Sequence, residues 1–159
     1  MRKATRQGWS FCIQEHQAQD PMTDFDTIID DFSFIEEWEE RYKYIIDLGQ
    51  RLSPLEEAEH NDANKVRGCA SQVWLVFDEQ AEDNGLHIRG DSDAHIVKGL
   101  IALLIALYTG KTPEDALAID ATAELAKLDL ADHITPQRSN GVASMVTRIR
   151  QQAQSLITA

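Results

Sequence analysis

Apolar positions along this chain recur in two rhythms, and the change between them divides it. Phe25, Ile28, Ile29 and Phe32 stand three and four apart, the spacing that gathers side chains on one helix face. Thr23 or Asp24 can cap that helix. From Ser33 the same rhythm runs through Phe34, Ile35, Trp38, Tyr42, Ile45, Ile46 and Gly49, so a second helix is expected from there until Leu52-Ser53-Pro54 ends it. Glu36, Glu37, Glu39 and Glu40 fall in its early turns, where they complement the helix dipole or form a solvated acidic face.

After a polar, acidic connector from Leu55 to Asn64, the period becomes two. A short strand is expected near Lys65 to Arg67, and Gln72 to Glu79 reads as a longer one rich in β-branched and aromatic residues. Val73, Leu75 and Phe77 lie on one side and Trp74 and Val76 on the other, which predicts cover on both faces. Glu82-Asp83-Asn84-Gly85 carries a hairpin signal, with Leu86 to Arg89 as the returning strand. Gly90-Asp91-Ser92-Asp93-Ala94 is expected to turn the chain into a core helix, Ile96 to Tyr108, with Ser92 or Asp93 as its cap and Gly110 as its stop. Thr112-Pro113-Glu114 opens a short helix, and Asp120 to Leu128 forms another. Following a connector from Leu130 to Pro136, Ser139-Asn140-Gly141 is expected to open a final amphipathic helix through Val142, Met145, Val146 and Ile149.

Length and composition change this picture only modestly. A chain of 159 residues with 43% hydrophobic residues suits one globular domain with a sizeable core. Residues 1–21 differ in character, with Arg2, Lys3 and Arg6 around a short apolar island, and are expected to be a flexible N-terminal extension to a domain at 22–159. The formal charge of −12 argues against nucleic acid as a partner and favours solubility or a basic protein partner. Membrane insertion is not expected, because the most apolar run, Ile96 to Tyr108, falls short of the roughly 20 residues a span needs. Two cysteines, one of them in the extension, make no disulfide framework and fit a reducing cytoplasm.

The candidate chemistry lies at Val66-Arg67-Gly68-Cys69-Ala70-Ser71-Gln72. A thiolate is a strong nucleophile, and the glycine beside it permits close approach of another backbone or a reactant. No second cysteine stands at CxxC spacing, which disfavours a dithiol pair or a four-cysteine zinc site. A small buried hydrophobe at a strand entrance is the competing reading of the same residue. His60, His87, His95 and His133 are scattered without ligand spacing. Trp74 reads as core packing, and Lys98 as a side chain that snorkels from the core helix.

Several blocks in order carry a resemblance. Trp38-Glu39-Glu40-Arg41-Tyr42 through Gly49, Val66 through Leu75, Gly90-Asp91-Ser92-Asp93-Ala94 through Leu100, and Thr135-Pro136-Gln137-Arg138-Ser139-Asn140-Gly141 together resemble the SufE family, closer to SufE than to the CsdE branch. The resemblance spans Phe25 to about Ile149. It implies an α/β (α+β) fold, a small antiparallel sheet packed on helices as in IscU-type scaffolds. It also implies a sulfur carrier and activator of a partner enzyme rather than a stand-alone enzyme. Such a carrier takes persulfide sulfur from a SufS-type, pyridoxal-phosphate-dependent cysteine desulfurase and passes it to the SufBCD scaffold, without a cofactor or metal of its own.

Carried onto this chain, the resemblance makes Cys69 the persulfide-forming acceptor. Arg138 and the amides at Ser139 to Gly141 are candidates for raising its thiolate fraction, and Arg138 also fits a salt bridge at a helix start. Asp93 is placed near the acceptor site, although a helix cap explains the same residue. Ala70 stands where many relatives carry Gln or Glu, so any hydrogen bond supplied there is absent. A homodimer is one assembly left open. An iron–sulfur scaffold is the rival from another class and would need several soft ligands around Cys69. A regulator that merely binds the desulfurase is a second rival.

Overall fold

The computed structural model describes residues 23–78 and 85–158. The expected extension at 1–21 and most of the hairpin signal at 82–85 therefore lie outside the described residues. In chain order the elements are α1 (Phe25–Phe34), α2 (Trp38–Gln50), a 3-10 turn (Glu57–Glu59), β1 (Val73–Phe77), β2 (Ile88–Ser92), α3 (His95–Tyr108), α4 (Pro113–Ala118), α5 (Ala121–Ala126) and α6 (Pro136–Thr158). This is an α+β fold with a small antiparallel sheet packed on helices.

Helix α3 is apolar all round, and a helix of that kind must be enclosed. Eleven of its fourteen residues are buried. On one side α2 crosses it at backbone contact distance. A Cβ on Gly49 would meet Gly99 N at 2.6 Å, and a Cβ on Gly99 would overlap Ile45 O. The two glycines thus let the helices touch where any side chain would hold them apart. On another side lies the sheet, whose register runs from Val73 opposite Ser92 to Phe77 opposite Ile88. Gly90 sits under Ile101 and Leu75, where a Cβ would meet Ile101 Cγ2 at 2.6 Å. That packing explains why Gly90 and Asp91 belong to β2 rather than to the expected turn.

Other boundaries differ from the sequence pattern for local reasons. Leu86 N–H donates to Lys111 O at 2.8 Å and its carbonyl accepts from Gly110 N–H at 2.9 Å, which ties the approach to β2 to the turn after α3, while position 79 opposite it lies outside the described residues. Gly110 there has φ +81, the left-handed stop expected of it. The continuous helical rhythm from Ser33 is broken between α1 and α2, where Arg41 Nε donates to Ile35 O at 2.7 Å and Nη2 to Phe32 O at 3.0 Å. Asp24 caps α1 by accepting from Thr27 N–H, and Thr112 caps α4 by accepting from Asp115 N–H. The expected strand near Lys65 shrinks to one bridge, Lys65 opposite Trp74. Among the described residues no helix is long and apolar enough to cross a membrane.

The outer face of the sheet is covered by the connector. His60 meets Trp74 edge-on, with ring centroids 4.7 Å apart. Glu59 holds Arg89 by two hydrogen bonds of 3.0 and 2.7 Å, and Arg89 reaches Asp78 at 2.8 Å. These contacts fix the chain just ahead of Cys69.

Candidate functional site

Cys69 sits on a loop closed like a hairpin. Val66 N–H donates to Val73 O at 2.8 Å and Leu75 N–H to Asn64 O at 2.9 Å, so the residues between are forced into a tight excursion. Gly68 takes φ +93, a conformation that costs a side chain dearly. It also lies on α6, where an added Cβ would stand 2.5 Å from Ser144 Oγ. The backbone conformation calls for glycine, and for any side chain the Ser144 hydroxyl would also have to turn aside.

Helix α6 is the floor of the site. Gly141, Ser144, Met145 and Arg148 fall at i, i+3, i+4 and i+7, one face of the helix. Cys69 Sγ donates to Gly141 O at 3.6 Å, and a Cβ on Gly141 would stand 3.5 Å from that sulfur. Arg148 Nη1 donates to Lys65 O at 3.2 Å, while Nη2 donates to Ala63 O. Sequence reasoning missed Arg148. Its signal was an arginine on the buried stripe of Met145 and Ile149, a place that asks for a polar partner.

The other end of the loop is held by Asp93. Its Oδ1 accepts from Gln72 N–H at 3.1 Å, and its own N–H donates to Gln72 O at 3.4 Å. Neither Asp93 nor Ser92 caps α3, since the cap position is Ala94 and no side-chain cap bond forms. The ladder runs on past Ser92, so Asp93 faces the neighbouring strand when the helix begins. Ser92 Oγ accepts instead from Ala94 N–H at 3.2 Å.

Arg138 does come to the site. It lines, with Cys69, Ser71, Val97, Thr135 and Met145, a hollow of about 170 Å³. Its backbone N–H donates to Thr135 Oγ1 at 3.2 Å, because α6 starts at Pro136 rather than at Ser139. That earlier start changes the electrostatics. Ser139 N–H is already spent on Thr135 O, and the group that meets the sulfur at Gly141 is a carbonyl, which accepts a hydrogen bond from the neutral thiol rather than stabilising an anion. Burial pushes the Cys69 thiol up from its ordinary value, opposite in direction to activation by a cation or helix amides.

A second layer braces the loop from behind. His60 Nε2 lies 2.7 Å from Asp91 Oδ2, and Lys98 Nζ lies 3.6 Å from Asp91 Oδ1. The hydrogen bond to Asp91 raises the imidazole above its ordinary value. Burial pulls the Asp91 carboxyl upward, but the His60 and Ser92 hydrogen bonds leave it below the usual range. Lys98 therefore reaches an ion partner as it leaves the core helix. Among the described residues no group of three or more His, Cys, Asp or Glu side chains is placed so that it could hold a metal ion, and Cys69 is the free cysteine.

Comparison with known proteins adds to this geometry. Residues 26–153 match the family model SufE: Fe-S metabolism associated domain. An uncharacterized SufE-like protein of Rhizobium meliloti is 46% identical over 140 residues, 87% of this chain and all of that one. Another from Rhizobium etli is 47% identical over 134 residues, 83% of this chain and 90% of that one. The solution structure of a hypothetical protein from Thermus thermophilus superposes with a TM-score of 0.68 at 18% identity, covering 85% of this chain and 96% of its own, a likeness of fold.

Proposed function

Because the chain belongs to the SufE family, an Fe–S metabolism associated domain, we propose that it is a sulfur acceptor and carrier whose working atom is Cys69 Sγ. The observation that carries this reading is the loop itself. One thiol is held on a loop tied at both ends, at the mouth of a hollow shared with Arg138. The donor is a SufS-type cysteine desulfurase, and the onward acceptor is the SufBCD scaffold in the cytoplasm.

The reaction is a thiol–disulfide exchange. The Cys69 thiol first loses its proton to solvent or to a base on the partner, since its own surroundings favour the protonated form. Its thiolate attacks the terminal sulfur of the donor's persulfide. A new S–S bond forms on Cys69, the old one breaks, and the donor cysteine leaves as thiolate with the bonding pair. Nothing is oxidised or reduced overall, and no metal takes part.

The half-buried thiol supports a gated handover. The loop from Gly68 to Ala70 keeps the sulfur against α6 in the free protein and releases it on meeting the desulfurase, where the thiol loses its burial and ionises more readily. Alkylation of Cys69 should therefore quicken in the presence of the partner, and equal rates with and without it would count against gating. The decisive experiment is intact mass and peptide mapping after incubation with an active desulfurase and free cysteine. Added sulfur on the Cys69 peptide, lost on reduction and absent in Cys69→Ser, is the expected result. Desulfurase stimulation that survives Cys69→Ser would replace the relay by a purely regulatory role.

A further inference from the structure

Charge is not spread evenly over this acidic chain. Two stretches, residues 63–77 and 133–159, contain Lys65, Arg67, Arg138, Arg148 and Arg150, and all 27 Asp and Glu residues lie outside them. These are the Cys69 loop with β1, and helix α6 with its approach. Arg150 points elsewhere, to the carbonyl of Leu117. The other four stand on the two segments that frame Cys69.

Between Arg67 and Arg148 the surface forms a hollow of about 340 Å³, floored by Val66 and walled by Ser144, Thr147 and Gln151. Arg67 is exposed and makes no ion pair among the described residues. Arg148 is different, because two of its N–H groups are spent on the carbonyls of Ala63 and Lys65. The guanidinium is thereby held in one orientation with three N–H groups still to offer. A fixed guanidinium beside a free one is a receptor for a carboxylate, which takes parallel N–H bonds from such a fork.

Resting on the reading of Cys69 as acceptor, we infer that the hollow between Arg67 and Arg148 receives an Asp or Glu side chain of the sulfur donor, and that the Cys69 face docks on an acidic surface. A net charge of −12 alone would point to a basic partner. On the two segments that frame Cys69 the four cations outnumber Asp93, the carboxylate bound at Gln72, and within a Debye length, about 8 Å at physiological salt, local charge governs the final approach. The repulsion of the remaining surface then disfavours every other orientation, so the same acidic partner is accepted at this face and rejected elsewhere.

The test compares Arg67→Glu with Lys111→Glu, which makes the same change in net charge beside Gly110, past the far end of α3. Transfer of sulfur from a cysteine-fed desulfurase to Cys69 is followed against desulfurase concentration and ionic strength. Arg67→Glu should raise the half-saturating concentration by about tenfold or more at low salt and flatten its salt dependence, as loss of a rim charge does. It should leave alkylation of Cys69 by a small neutral reagent unchanged, while Lys111→Glu tracks the wild type. Equal behaviour of the two variants, or wild-type transfer that tightens as salt rises, would overturn the inference while leaving the relay intact. Absence of sulfur on wild-type Cys69 at every salt concentration would overturn the relay itself and the docking assignment with it.

Discussion

Two helix surfaces in this protein present a glycine to a neighbouring segment, and the two contacts are packed to different standards. Where α2 crosses α3, a Cβ on Gly99 would overlap Ile45 O, a backbone atom that cannot step aside. Where Cys69 meets α6, a Cβ on Gly141 would stand 3.5 Å from Sγ, an ordinary contact. The core crossing has no slack, whereas the site has room for about one more heavy atom beside its sulfur. The first contact is set by apolar burial around α3, and the second by a few directional bonds from Arg148 and Asp93 to main-chain atoms. A contact that must only hold can close completely; the gain and loss of a sulfur atom proposed for Cys69 calls for one that does not.

The largest expected effect lies at the tight crossing. Gly99→Ala should destabilise the fold by about 3 kcal/mol, near the upper end for overpacking a filled interior. In a protein of this size that lowers the melting temperature by about 6 to 12 °C. A thermal scan checks it, and an unchanged midpoint would show that the α2–α3 contact has the same slack as the site.

Gly68→Ala should cost less and do something different. A left-handed alanine costs about 1 to 2 kcal/mol, and the new methyl would push against Ser144 Oγ. The loop is expected to lift from α6, so alkylation of Cys69 should speed up while global stability falls by less than in Gly99→Ala. Slower or unchanged alkylation would mean that the loop is not held down by this contact.

The smallest effect sharpens the comparison through pH. Because burial raises the Cys69 thiol, its alkylation in the free native protein should titrate above the ordinary value of about 8.5 and return to it in urea. The sign for stability follows. Between the unfolded and folded values the native state binds more protons, so this contribution is complete below about 8.5 and is lost as pH rises through the folded value. Identical titrations in native and unfolded protein would remove burial as the cause.

Much of the architecture was legible beforehand because apolar rhythm is local. The core helix, the cap at Thr112, the stop at Gly110 and the strand at β1 all follow from neighbours in sequence. The boundaries that moved were decided by particular hydrogen bonds and close contacts, some near in sequence and some remote, that the apolar rhythm does not carry. Arg41 closed the gap between α1 and α2 from six and nine residues away, and Gly90 joined β2 because Ile101 needed the space. At the site, Cys69 stood out from its immediate neighbours. Arg148 did not, since its partners lie 83 and 85 residues away.

By itself, then, the order of residues determined most of the helices and strand β1, that one helix must be enclosed, and which thiol is the candidate for chemistry. Those features depend on side chains a few positions apart and on composition. Tertiary structure alone decided that Asp93 pins the loop instead of capping a helix, that a carbonyl rather than an amide meets the sulfur, and that Arg67 and Arg148, 81 residues apart, line one hollow. Each of these depends on where segments remote in sequence come together, and hydrogen bonds and charges act over ångströms in space, whatever the separation along the chain.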